Sequence, residues 1–232
     1  ELLGPGRTDM LPPGPRRIVT LGAGRLERPE AMVLAPDGAI LVADSAARAV
    51  VVLDPGGGER TRLGTGVLRR PVGLAIGADG RRVVVADTVL RAIVALPLDG
   101  GPAERLAPGL ELRRPVAITA LPGARLAVAD AGRARIHVLD VAGEVVASFG
   151  DYGPFPGLFE EPHGLAWDGA RLVVADRGNH RLQMHAADGT LLGTWGVHAR
   201  RPREAGGVIH DPAALAFDPA GRYLALVEPF ED

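Results

Sequence analysis

The chain has 232 residues, 47% of them hydrophobic, which is enough apolar mass for a buried core in a single domain. Cysteine is absent, excluding disulfides, thiolate nucleophiles and cysteine-ligated metals, and the formal net charge of −2 argues against bulk attraction to nucleic acid or membranes. No apolar run reaches the ~18 residues of a membrane helix, so membrane insertion is not expected.

Residues 1–15 are rich in Pro and Gly and read as a tail or linker, following either an export signal or another domain; export, to the periplasm or outside the cell, is the preferred reading. Residues 17–22, Arg-Ile-Val-Thr-Leu-Gly, read as a strand that matches residues 144–150 further on. From there a repeat takes over. Leu26-Glu27-Arg28-Pro29 recurs as Leu68-Arg69-Arg70-Pro71, Leu112-Arg113-Arg114-Pro115, Phe159-Glu160-Glu161-Pro162 and Ile209-His210-Asp211-Pro212. Between these prolines stand Val42-Ala43-Asp44, Val85-Ala86-Asp87, Val128-Ala129-Asp130 and Val174-Ala175-Asp176, with Val227-Glu228 in the fifth copy. A period of roughly 42–50 residues signals propeller blades.

Each period holds four short apolar runs separated by turn residues. In the first copy they fall at 31–35, 39–43, 49–53 and 60–63, with Pro36-Asp37-Gly38 and Asp54-Pro55-Gly56 between them. The second runs are apolar on both faces, as strands covered from both sides are. The expected fold is all-β: a propeller of four-stranded antiparallel blades over residues 16–232. It comprises four complete repeats and a partial blade shared by the N-terminal strand and two C-terminal strands at 213–217 and 222–227. One strand of that shared blade is missing, so truncation of a longer propeller is favoured over an imperfectly closed five-bladed ring.

The fourth copy, Glu161-Pro162-His163-Gly164-Leu165 through Asp176-Arg177-Gly178-Asn179-His180-Arg181-Leu182, closely resembles the NHL repeat, whose name comes from the residues matched by Asn179, His180 and Leu182. The resemblance weakens in the other copies, where Ala47-Arg48, Leu90-Arg91 and Arg133-Ala134 replace the Asn-His pair. It implies a six-bladed ring. It also implies one of several roles, since the family includes protein-binding and RNA-binding scaffolds, extracytoplasmic sensors and a zinc-dependent amidating lyase.

All 26 basic residues are arginine, a bias that GC-rich coding would produce. Propeller topology gathers the loops leading into the blades and the turns between second and third strands on one rim. That rim should be arginine-dense, while the opposite one mixes Asp with Arg. Leading loops are basic in copies one to three and acidic in copies four and five, a divided field suited to orienting a partner. Asp44, Asp87, Asp130 and Asp176 are read as structural acceptors for turn amides. The expected activity is binding of a protein partner, within a larger assembly, by a scaffold without cofactor. Contact residues are Arg69, Arg70, Arg91, Arg113, Arg114, Tyr152, Arg200 and Arg201.

An enzyme is the alternative: an exported, metal-dependent lyase or lactonase with its site at the axial mouth. Zinc chemistry needs three converging protein ligands. Only His163 holds the position that the resemblance gives to the lyase branch's histidines, with Glu30 at the matching place in the first copy. No metal is therefore expected, and these two are the first candidates; His180 and His210 on the same rim show no ligand spacing. His137 and His185, on third strands, read as satisfied or exposed surface histidines. RNA binding through rim arginines and Tyr152 is a further alternative, disfavoured by the overall acidity and the scarcity of aromatics.

Overall fold

The computed structural model describes residues 22, 24–198, 208–218, 221 and 224–228. The tail, nearly all of the N-terminal strand, Arg200 and Arg201 lie outside the described residues.

The first blade comprises β1 (Pro29–Leu34), β2 (Ile40–Asp44), β3 (Ala49–Leu53) and β4 (Glu59–Leu63), hydrogen-bonded in that order. The second is β5 (Pro71–Ile76), β6 (Arg82–Asp87), β7 (Ala92–Pro97) and β8 (Glu104–Leu106). The third is β9 (Pro115–Leu121), β10 (Arg125–Asp130), β11 (Arg135–Leu139) and β12 (Val145–Phe149). The fourth is β13 (Pro162–Trp167), β14 (Leu172–Asp176), β15 (Arg181–His185) and β16 (Leu191–Trp195). A short parallel pair, β17 (Val197–His198) and β18 (Val208–Ile209), precedes a partial fifth blade of β19 (Ala214–Phe217) and β20 (Leu224–Val227). All pairings inside blades are antiparallel.

The two marks of the sequence repeat are cross-strand partners. Pro29 pairs with Asp44, Pro71 with Asp87, Pro115 with Asp130 and Pro162 with Asp176, each followed by a register shift. Proline lacks an N–H and fits the first residue of a strand, where no ladder bond is asked of it. The 3–4 hairpins close on an aspartate. Asp54 accepts from the amides of Gly56 and Gly58, and Asp140 from those of Ala142 and Glu144.

The inner strands alternate small and large residues, and that alternation builds the stack. Leu74 and Ile76 pack toward the first blade's Leu41, Val50 and Val52, while Ala75 packs toward Ile118 and Val128 of the third. A side chain at Gly73 or Gly164 would press on the following inner strand, at Ala117 or Ala214. Leu215 and Phe217 continue the rule against Val173 and Ala175. At the first blade the large positions are Met32 and Leu34, exposed by 76% and 66%, so the described residues form a partial ring with that face uncovered.

Candidate interaction face

The carboxylates of Asp44, Asp87 and Asp130 are fully buried, and each clips a blade's leading loop to its second-to-third-strand turn. Asp87 takes the amides of Arg69, Arg70, Val89 and Leu90; Asp130 takes those of Arg113, Arg114 and Gly132. At Asp44, burial alone would raise the pKa, but the amides of Ala47, Glu27, Arg28 and Ala46 outweigh it and hold the pKa below the usual carboxylate value. These aspartates are structural, as the sequence suggests.

Around this frame lies the arginine rim, and most of its charge is already paired. Arg28 bridges Glu30 at 3.1 Å, and Arg70 stands 4.0 Å from the same carboxylate. Arg114 pairs with Glu161 of the next leading loop, and Arg177 with Asp211 of the one after. Arg133 reaches Glu111 at 3.1 Å and Arg135 reaches Asp151 at 3.3 Å. The divided field expected from the signs of the leading loops is therefore largely cancelled, because Glu161 and Asp211 spend their charge on neighbouring-blade arginines. Among the described residues Arg48, Arg69, Arg91 and Arg113 are exposed and make no ion pair.

The loop before the fourth blade is held down by side chains of that blade's second-to-third-strand turn and third strand. Arg181 Nη1 donates to the carbonyl of Pro154 at 2.7 Å, and its Nη2 to those of Phe155 and Leu158 at 2.9 and 3.0 Å. Gln183 donates from Nε2 to Leu158 O at 2.6 Å and accepts at Oε1 from the amide of Gly157 at 2.8 Å. Asn179 donates to Gly153 O at 3.0 Å. All three side chains also bond the buried Asp176. Arg181, with its side chain only 12% exposed, belongs to this clamp and not to the open rim. His180 takes a left-handed backbone with φ 53°, the conformation also found at Arg48, Arg91 and Ala134 in the same turn of the other blades.

Between the third and fourth blades this face opens into a cavity of about 1080 Å³. Arg113, Arg114, Arg133, Arg135, His137 and Tyr152 are among its lining residues, with Glu111, Asp151, Glu160 and Glu161 supplying opposite charge. Three of the sequence-derived contact residues thus converge here. Arg69, Arg70 and Arg91 belong to the second blade and do not line the cavity. Tyr152 is 70% exposed, with its hydroxyl 3.3 Å from Glu160, while Phe159 is fully buried.

The histidines of the third strands depart from expectation. His137 and His185 are buried, each with Nδ1 bonded (to Ser148 Oγ and to Gly189 O) and Nε2 lacking a hydrogen-bond partner among the described residues. Desolvation lowers both pKa values. The two metal candidates do not form a ligand set. Glu30 is engaged by Arg28 and by the Ser45 hydroxyl at 2.8 Å, and His163 is kept below its usual pKa by burial and by the charge of Arg177. Among the described residues no three His, Asp or Glu side chains are arranged to hold a metal ion. Nor is any helix long and apolar enough to cross a membrane.

Solved structures similar to this chain include virginiamycin B lyase from Staphylococcus aureus, with TM-score 0.63 and 15% identity over 87% of this chain and 63% of that one. A nidogen/laminin complex gives TM-score 0.67 and 20% identity over 86% and 72% of the two chains. A gluconolactonase from Xanthomonas campestris gives 0.65 and 17% over 87% and 70%. The chain is a β-propeller. At these identities the likeness is one of fold, and this propeller spans less than two thirds of the length of the virginiamycin B lyase. No protein-family model matches the sequence, and no curated protein matches it.

Sequence reasoning passed over Arg133, Arg135 and His137 as site residues. The signal was present: aligned on the Val-Ala-Asp marks, they occupy the positions of Asn179, Arg181 and Gln183.

Proposed function

We propose that this propeller is a non-catalytic, NHL-like interaction module that receives a protein partner on its leading-loop face. The observation that carries the reading is the open cavity where Arg113, Arg114 and Tyr152 meet, with Arg113 making no ion pair among the described residues. An exposed Tyr on a rigid frame and an unpaired Arg are suited to anchoring an interface. Paired arginines around them supply directional donors without a large net field, which favours a protein over a polyanion. Arg69, Arg70 and Arg91 extend the same face across the second blade, and Arg200 and Arg201 are proposed to belong to it.

The test is affinity capture from extracts of the source cells, comparing the wild-type chain with an Arg113→Glu/Tyr152→Ala variant of equal thermal stability. A defined protein retained by the former and reduced at least tenfold with the latter supports the module. Equal capture by both overturns it. Stoichiometric zinc or calcium in the purified protein, with turnover of a lactone or of virginiamycin B, would replace it with the enzyme reading.

A further inference from the structure

Blade four shows how this fold holds a stretch of peptide. Three side chains of its second-to-third-strand turn and third strand, Asn179, Arg181 and Gln183, make six hydrogen bonds to the backbone of residues 153–158. None of these bonds reads a side chain. The grip depends only on carbonyls and one amide presented at the right spacing, and the Gly-Pro-Phe-Pro-Gly-Leu sequence bends to present them.

The register of the third blade places Arg133, Arg135 and His137 at the same three positions. Asp130 pairs with Arg135 as Asp176 pairs with Arg181, and Val128 with His137 as Val174 with Gln183. One equivalent bond is already made: Arg133 Nε donates to Glu111 O at 2.6 Å, in its own leading loop, as Asn179 does to Gly153 O. Beyond that bond the parallel breaks. The loop before blade three turns through Ala107 and Leu110 and, among the described residues, makes no hydrogen bond to Arg135 or His137, which line the 1080 Å³ cavity together with Leu110 and Glu111.

His137 carries the second observation. It is 4% exposed, and its Nδ1 lies 2.8 Å from the Ser148 hydroxyl. The roles at this contact follow the tautomer; in the one where the Ser148 O–H donates to Nδ1, the neutral ring carries its proton on Nε2, the atom with no partner among the described residues. Gln183 likewise uses an N–H donor at this position, and its acceptor is a peptide carbonyl. In blades one and two the position is held by Val51 and Val94, which need no partner. A buried ring nitrogen without a partner costs stability; His185 bears the same cost inside the core, but His137 lines the cavity, where a bound group would offset it.

We propose that the cavity of the third blade binds the backbone of a short, turn-forming partner peptide, through Arg135 and His137, as blade four binds residues 153–158. The inference rests on the interaction-module reading and gives its partner a chemical class: a Gly- and Pro-containing segment whose carbonyls face the propeller. Arg113 and Tyr152 contact the segment's flanks.

The probe is the chain's own clamped sequence in trans, a fluorescently labelled, end-blocked Gly-Pro-Phe-Pro-Gly-Leu peptide, titrated into the full chain by anisotropy. Saturable binding is expected, weakened at least tenfold by Arg135→Ala and by His137→Val. Valine is compatible with the strand, as blades one and two show, and thermal melts verify that both variants are folded. Absence of saturable binding, or binding indifferent to both substitutions, overturns the inference. Partner capture that depends on Arg113 and Tyr152 while the peptide fails would leave the module standing and remove only the peptide mode. Peptide binding without any captured partner would do the reverse.

Discussion

Oε1 of Glu228 accepts the amide hydrogen of His210 at 2.6 Å, which places in the partial fifth blade the clip that an aspartate makes in each of the four complete ones. The longer side chain reaches the same leading-loop amides, and Asp211 N also lies 3.2 Å from it. The carboxylate is thus the constant element of the repeat, whatever its chain length.

Removing a clip should be among the most damaging single changes. Asp87→Ala strands the amides of Arg69, Arg70, Val89 and Leu90 around a buried gap. At ~1–3 kcal/mol for each buried unsatisfied group, partly relieved by water, the loss should reach about 3–5 kcal/mol. Urea denaturation of Asp87→Ala, against Glu228→Gln as a mild comparison expected to lose under ~1 kcal/mol, measures it.

Gly150 ends the third blade with φ 87°, and a Cβ there would collide with the ring of the fully buried Phe159 and approach Ala134 O at 3.0 Å. Gly150→Ala therefore combines a left-handed backbone with overpacking at a blade junction. A destabilisation of about 2–4 kcal/mol is expected. The same substitution at Gly157, where φ is 87° but nothing lies within 4 Å, should cost only the backbone share, ~1 kcal/mol. A pair of thermal melts separates the two contributions.

Arg91 presents the opposite case. It is exposed, makes no ion pair among the described residues, and sits at φ 51°. Arg91→Gly relieves the left-handed strain and should leave stability unchanged or raise it by up to ~1 kcal/mol. If Arg91 contacts the partner, the same variant binds more weakly while melting no lower. That combination, read by melting and by capture together, distinguishes a contact residue from a structural one.

Blades, their strand limits and the role of the buried aspartates were legible because proline, aspartate and turn glycines mark fixed points of the ladder. Pro71 and Asp87 can be matched by eye in the sequence and prove to be cross-strand partners. The electrostatic face was less legible. Counting arginines located it, but only three-dimensional placement shows that Arg114 and Arg177 are neutralised by Glu161 and Asp211 of the following blades, tens of residues away. The cavity was hidden for a similar reason. It exists because one leading loop is short and the next is long, and loop length sets what is covered without leaving any motif.

Acid should weaken the fold in two stages, and the first belongs to histidine. Burial holds the pKa values of His137, His163 and His185 below the ordinary value of about 6.5, against partial opposition from Asp130 at His137 and from Gly189 at His185. A group whose folded pKa is depressed contributes stability above its unfolded pKa, and that contribution is lost as pH falls through the folded value. The melting temperature should therefore be flat from about pH 8 to 7 and decline from about 6.5 downward. A second decline should follow below about pH 4, where Asp44 and Asp211, with pKa values held down by turn amides and by Arg177 respectively, take up protons. His137→Val removes one of the three histidines, so its melting curve should fall less steeply between pH 6.5 and 5 while keeping the lower transition. An unchanged slope in that variant would show that His137 titrates alike in the folded and unfolded chain, contrary to its burial.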